Sequence, residues 1–335
     1  ASTIYTIILY WIIYGYILPT YNISTADAIQ LIRRIIEYGE STQNQLHLVL
    51  LDWEKAFDKV IRAEMFNAMH RMGIHAKLIT LVEQLYKSTT FKVEIDGHSS
   101  DWQTQHTGIR QGCPLSPYLF LIVMTTMFED IHAKINNTLE KTDLSPGADF
   151  DEVTYADDTI CISTDTKAIN LFVKEIEEEG FRYGLKLNKH KCELITTHQQ
   201  ANIHFKDNTK VPTVRLATYL GCNIGIKTNN REELPKRFAN TMITMKQLDL
   251  FWRHSSCDTA IKIYTAEAVL RSKLLYGLES AQLIPSIAKK LETFQLKVLR
   301  KILKMDTTFV DRANTNQIVF NTPNQQMAEE GKRKP

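Results

Sequence analysis

Apolar residues return every third or fourth position along several stretches of the chain, and each such stretch predicts a helix. Ile29, Ile32 and Ile36 mark one over Thr25–Glu40. Met65-Phe66, Met69 and Met72 mark a second that ends at Gly73, and a third runs from Ala76 to Lys87. Ser116-Pro117 reads as an N-cap followed by proline at the first helical position, opening an apolar helix that continues to about Ile131. Lys167–Gly180 forms another, with Glu177-Glu178-Glu179 before a glycine stop. Ala288–Lys304 is amphipathic: Leu291, Phe294, Val298 and Ile302 share one face, and Lys290, Lys297, Arg300, Lys301 and Lys304 fall largely opposite.

Shorter apolar runs lie between these helices. Leu46–Leu51 has strand length and is closed by Asp52. Val153–Ile162 reads as two short strands meeting at an acidic tip, Asp157-Asp158. Phe91–Ile95 and Trp102–Thr107 predict a strand pair joined through Asp96-Gly97. No charged residue precedes Asp27, and Ile4–Leu18 is a run of 15 residues, mostly Ile, Tyr and Leu. That run is shorter than the roughly 20 residues a membrane helix needs, and no positive flank marks a signal peptide.

At 335 residues and 44% hydrophobic, the chain can bury a large core and is expected to form more than one domain. Its net charge is only +2, but the charge is unevenly placed. Residues 261–335 carry 13 Lys and Arg against 7 Asp and Glu, so the earlier part is net acidic. An acidic part suits cations and a basic part suits phosphates. Five cysteines with no Cys-x-x-Cys pair argue for reduced thiols and against a disulfide framework or zinc ribbon.

The candidate chemistry begins with Tyr155-Ala156-Asp157-Asp158. Adjacent carboxylates repel unless a cation neutralises them, so the tip reads either as a magnesium site or as a solvated Asp-Asp hairpin turn. Asp52 closes another apolar strand. If that strand lies beside the 153–162 hairpin, the carboxylates meet and could be bridged by two hard cations. Between them, Gly108-Ile109-Arg110-Gln111-Gly112-Cys113-Pro114-Leu115-Ser116-Pro117 brackets a glutamine with glycines, so backbone can approach a ligand closely. It lacks the Gly-Lys-Ser/Thr ending of an ATPase phosphate loop.

In order, strand-Asp52, Arg110–Pro117, Tyr155–Asp158, Gly184–Lys191 and Tyr219-Leu220-Gly221-Cys222 resemble the palm motifs of reverse transcriptases, most closely those of non-LTR (LINE-type) retrotransposons. The likeness covers about residues 22 to 320. It implies an α+β fold: a right-hand polymerase palm, an antiparallel sheet packed on helices, with partial fingers and a helical thumb. The implied division is 1–24 as a fingers remnant, 25–226 as palm and remaining fingers, 227–310 as thumb and 311–335 as a polar tail, with 227–233 as the polar link. It implies an RNA-directed DNA polymerase with RNA template, DNA primer and deoxynucleotides as partners, no membrane, and two Mg²⁺ ions, or Mn²⁺ in their place. Asp52, Asp157 and Asp158 match the metal-binding acids. Phe57 matches the aromatic that excludes ribonucleotides; as a residue by itself it also reads as a core phenylalanine. Arg110, Gln111 and Gly112 match the nucleotide loop. Lys191 matches the lysine that protonates pyrophosphate, with Lys189 as its rival. Tyr219, Leu220 and Gly221 match the primer grip. The cationic face of 288–304 would lie along duplex phosphates. The terminal Lys332-Arg333-Lys334 fits an intracellular, nuclear place of action and equally a patch without function.

The amino-terminal stretch departs from the family pattern. Gly15-Tyr16 stands about where the family has Gly-Phe and a basic residue, and Thr20–Ile23 offers no charge. The finger strands that supply cations for the triphosphate belong further upstream, and a full-length element carries an endonuclease domain as well. The chain, which begins at Ala1, therefore reads as a fragment that keeps the metal site and binds nucleotide poorly. Two other readings stay open: a catalytically dead retroelement remnant that only binds nucleic acid, and an intron-type reverse transcriptase acting in splicing.

Overall fold

The apolar run at 46–51 becomes β1 (His47–Leu51), an inner strand of a sheet covered on both faces, and all five of its residues are buried. The computed structural model describes residues 24–135, 151–198, 200–226, 233–278 and 285–323. The expectations for 1–23, for the 227–232 link and for the basic terminus lie outside the described residues. The chain divides into two compact units, Ala1–Lys227 and Thr228–Pro335.

In the first unit, α1 (Thr25–Thr42) precedes β1; α2 (Ala56–Lys59), α3 (Arg62–Arg71) and α4 (Ala76–Tyr86) follow it. Four two-residue strands come next: β2 (Thr90–Phe91), β3 (Glu94–Ile95), β4 (His98–Ser99) and β5 (Gln103–Thr104). Then come α5 (Ser116–Ile135), β6 (Glu152–Tyr155), β7 (Asp158–Ser163), α6 (Thr166–Arg182), β8 (Glu193–Thr196), β9 (Ala217–Tyr219) and β10 (Cys222–Ile224). The main sheet is antiparallel with order β6-β7-β1-β8.

Strand alternation gives the sheet two cores. Val49, Leu51, Cys161 and Leu194 join the larger one with Met65, Met69, Phe120, Val123, Phe172 and Ile176 from α3, α5 and α6. Leu48, Leu50, Ile160, Ile162 and Ile195 face the other way, onto Ile29, Ile32 and Ile36 of α1 and the β9–β10 pair. The class is therefore α+β, an antiparallel sheet packed on helices.

Three local expectations are corrected. The strand pair after α4 is nested: β3 and β4 close tightly on Asp96-Gly97, both at positive φ, while β2 pairs with β5 outside them. The return strand thus begins at His98, because a two-residue turn with both φ positive fits directly between paired residues. Ser116 does not cap α5. It is the first helical residue, and its hydroxyl donates to the Arg110 carbonyl. Gly180 does not stop α6, which runs on to Arg182; the left-handed residue is Gly184, at φ 82°. A Cβ at Gly180 would meet the Trp53 ring at 3.0 Å, so this glycine makes room for an indole.

The second unit is helical: α7 (Glu233–Gln247), α8 (Asp249–His254), α9 (Thr259–Thr265), a π-helical segment (Ala266–Arg271), α10 (Ser272–Leu275) and α11 (Pro285–Leu303). Its core joins Met245, Trp252, Ile263, Leu270 and Leu274 to Phe294, Val298 and Ile302, so α11 buries the face its periodicity predicts. Lys262 is buried here, its amine donating to the carbonyls of Trp252 and Ser255 at 3.1 Å each. Within the stretch expected as polar tail, residues 316–323 are helical and Val319 is buried.

Candidate functional site

The acidic tip is a two-residue turn. Tyr155 pairs with Asp158, leaving Ala156 and Asp157 as the loop, with Ala156 at φ 56°. Antiparallel pairing sets Leu51 opposite Thr159, so one further step along both strands brings Asp52 across from Asp158. The three carboxylates therefore share one end of the sheet although 105 residues separate Asp52 from Asp157. Loss of solvation, followed by the charges of Asp157 and Asp52, raises the Asp158 carboxyl above its ordinary range. Asp52 Oδ2 is buried without a hydrogen bond, and its nearest cation is Lys191 Nζ at 3.4 Å. Among the described residues, no three His, Cys, Asp or Glu side chains close into a cation cage. The donor set itself suits a hard divalent cation: three carboxylates, one with an unsatisfied buried oxygen.

The segment leaving Asp52 is clamped on both sides. Asn188 N donates to Asp52 O, Glu54 N to Lys186 O, and Ile61 N to Tyr183 O, at 2.8, 2.8 and 2.9 Å. On the other side Ile109 N donates to Phe57 O at 2.7 Å and Gly108 N to Val60 O at 2.8 Å. Gly108 is expected from sequence to let a ligand approach; the neighbour that approaches it is Asp58. A Cβ there would lie 2.5 Å from the Asp58 carbonyl oxygen, and φ is 83°. Gly112, at φ 82°, has open space around it. Phe57 is half-buried and stacks on Phe120, ring centroids 4.4 Å apart. Gln111 Nε2 donates to Asp58 Oδ1 at 3.0 Å. Arg110 turns away, donating to Leu85 O at 2.9 Å with its guanidinium 5.8 Å from the Tyr86 ring centre.

Lys191 and Lys189 are sorted by their neighbours. Lys189 Nζ is held by Glu177 at 2.6 Å and Asp207 at 2.7 Å, whereas Lys191 reaches Asp52. Tyr219 and Cys222 pair around Leu220 and Gly221, at φ 45° and 74°. The Tyr219 hydroxyl is buried without a hydrogen-bond partner, and burial together with the Asp158 charge raises its pKa. On α11, Lys290 and Lys297 are exposed; Lys304, expected within the helix, is exposed too but lies just past its end at Leu303, with φ 55°. Arg300 is engaged by the Asp306 and Asn314 carbonyls and by Asn316, and Lys301 pairs with Asp249.

Two residues of the site carry no sequence signal of their role. Arg62 donates to the carbonyls of Gly108 at 3.0 Å, Gln105 at 2.8 Å and Tyr86 at 3.3 Å, and to Thr89 Oγ1 at 2.9 Å. It ties the end of α4 to the loop that leads into Gln111. Asp58 is the other, through its bond to Gln111. Backbone acceptors leave no mark in a sequence, and Asp58 and Gln111 lie 53 residues apart, so neither partnership could be read there.

Residues 17–224 match the family described as reverse transcriptase (RNA-dependent DNA polymerase). The retrovirus-related Pol polyprotein of the type-2 retrotransposable element R2DM from Drosophila melanogaster is 23% identical over 214 residues, 59% of this chain and 19% of that protein. The Pol polyprotein of a type-1 element R2 from Popillia japonica is 23% identical over 269 residues, 78% of this chain and 43% of that protein. The chain thus spans less than half the length of either relative. A Candida tropicalis telomerase in complex with a TWJ fragment of telomeric RNA superposes with a TM-score of 0.47 at 13% identity, covering 97% of this chain and 56% of that one. No helix among the described residues is long and apolar enough to cross a membrane.

Proposed function

Because this chain belongs to the reverse transcriptase (RNA-dependent DNA polymerase) family, we propose that it is the polymerase core of a non-LTR retroelement, copying an RNA template into DNA from a primer 3′-hydroxyl. The single observation that carries this reading is the meeting of Asp52, at the end of β1, with Asp157 and Asp158 at the β6–β7 turn. Residues 25–226 serve as palm with remaining fingers and 227–310 as thumb.

Asp52, Asp157 and Asp158 would hold two Mg²⁺ ions, which Mn²⁺ can replace. Bound there, such ions lower the pKa of the attacking hydroxyl and neutralise charge on the phosphoryl oxygens. The primer 3′-oxygen bonds to the α-phosphorus of the deoxynucleotide as the bond to pyrophosphate breaks. Lys191, beside Asp52, gives the leaving pyrophosphate its proton. Phe57 blocks the sugar 2′ position, and Gln111, with Arg110 and Gly112 at either side, lies along the incoming nucleotide. The Tyr219-Leu220-Gly221 turn supports the primer end. Lys290 and Lys297 on α11 and Lys304 just beyond it, with Arg300 and Lys301 fixing the end of that helix, hold duplex phosphates without reading sequence. The work is done inside the cell, in the nucleus, where template and target DNA meet.

Primer extension on an RNA template with Mg²⁺ and four deoxynucleotides tests the reading, comparing the chain with Asp157→Asn. Synthesis by the parent that is lost in the variant, with duplex affinity kept within a few-fold, is the expected result. Synthesis retained by the variant would remove Asp157 from the metal site. Duplex binding without synthesis by the parent would favour a catalytically dead remnant, and adding the upstream segment would then separate that from a fragment lacking its fingers.

A further inference from the structure

We propose that Asp58 is a positioning residue of the nucleotide site: it fixes which way the Gln111 amide faces. The inference rests on the polymerase function proposed above. Asp58 directly follows Phe57 on α2, and its carboxylate oxygen accepts from Gln111 Nε2 at 3.0 Å. An ionised carboxylate can only accept hydrogen bonds, so the amide nitrogen must face it. That leaves the Gln111 amide oxygen directed away from Asp58, as an acceptor for a donor group on the nucleotide. Without such a partner, an exposed glutamine has two amide orientations of similar energy, and a ligand that needs one of them meets it only part of the time.

The two side chains are held on one frame, which is why an exposed hydrogen bond can be used for orientation. Thr107 Oγ1 donates to Asp58 O at 3.2 Å. The Gly108 and Ile109 amides bond Val60 and Phe57, and the absent side chain of Gly108 lets the loop rest on the Asp58 backbone. Arg62 holds the far side of the same loop through Gly108 O and Gln105 O. With both backbones docked, closing the side-chain bond orders little more than the two side chains.

The test is a double-mutant cycle on the full chain with Asp58→Asn, Gln111→Ala and the pair, read as the deoxynucleotide dependence of single-nucleotide extension. Asp58→Asn keeps shape and can present either a donor or an acceptor. It is expected to raise KM for the deoxynucleotide about tenfold, equivalent to about 1.4 kcal/mol, with kcat and primer–template affinity essentially kept. In the Gln111→Ala background the same change is expected to have almost no effect on KM, a non-additivity that a merely structural role does not produce. Thermal melts check that each variant folds, and Asp58→Ala replaces Asp58→Asn if the latter does not. An unchanged KM, or penalties that simply add in the pair, overturns the inference while leaving the polymerase function standing. A parent chain that neither extends a primer nor binds deoxynucleotide overturns both.

Discussion

Lys191 Nζ stands 3.4 Å from Asp52 Oδ2, and the same short loop is bonded to Asp52 through its backbone, with Asn188 N donating to Asp52 O and Lys191 N to Asn188 O. An amine with 70% of its side chain exposed is thereby delivered to a carboxylate oxygen that has no hydrogen bond. An ion pair this open to solvent adds little stability, about 0–1 kcal/mol.

Lys191→Ala is therefore expected to slow extension about 10²-fold while urea melts shift by no more than about 1 kcal/mol. Lys189→Ala is expected to do the reverse, because its amine ties Glu177 to Asp207. Single-turnover incorporation measured beside urea denaturation separates the two. A Lys191 variant at full speed would assign the proton to another group.

Phe57→Ala is expected to admit ribonucleotides and to lower stability by about 2–3 kcal/mol, because the ring stacks on Phe120 at the edge of the main core. The ratio of ribonucleotide to deoxynucleotide incorporation is the measurement. Unchanged sugar discrimination with lowered stability would leave Phe57 a packing residue only.

Gly108→Ala and Gly112→Ala place the same methyl group at nearly the same φ, yet they are expected to differ. At 112 the cost is that of a left-handed alanine, about 1–2 kcal/mol. At 108 the methyl also meets the Asp58 backbone, so a larger loss is expected, together with a weakened nucleotide site. Denaturation midpoints of the two variants test this; equal shifts would show that the 107–109 loop yields easily.

Two histidines set opposite limbs of a pH–stability profile. Burial first, then the His198 charge, lowers the His47 pKa to about 4 from its ordinary 6.5, with its ring between the Thr196 and Thr166 hydroxyls. The unfolded chain takes up that proton first, so stability is full above about 6.5 and falls as pH drops toward 4. At His132 burial acts downward but is outweighed by the Glu152 hydrogen bond and charge, so its pKa is raised. Its contribution is full below 6.5 and is lost as pH rises through the raised value. Urea midpoints across this range are expected to lose the acid limb in His47→Gln and the alkaline limb in His132→Gln. A profile unchanged in either variant would discharge that histidine.

Most of the frame was legible in the sequence because it depends on periodicity and turn chemistry. The strand ending at Asp52, the hairpin at Asp157-Asp158, the Ile29-Ile32-Ile36 face of α1 and the Phe294-Val298-Ile302 face of α11 are all patterns of that kind. What escaped depends on partners that periodicity and turn chemistry do not reveal, most of them distant in sequence. Gly180 reads as a helix stop until the Trp53 indole is found against it. Ser116 reads as a cap until its hydroxyl is found on Arg110. Arg300 and Lys301 read as part of a free cationic face, but their neighbours Asn316 and Asp249 lie 16 and 52 residues away. Lys189 and Lys191 differ only through what Glu177, Asp207 and Asp52 do to them.

The order β6-β7-β1-β8 also gives the acidic end of the sheet an uneven persistence in time. Amides of β1 are bonded on both sides, so their hydrogen exchange is expected to require opening of the whole unit. Asp157 instead rides on the turn between β7 and β6, and β6 is an edge strand bonded on one side only, which can fray while β7, β1 and β8 stay closed. As the protein warms, the meeting of the carboxylates is expected to be lost from the Asp157 side first. Synthesis would then fade below the temperature at which the backbone of Asp52 lets go.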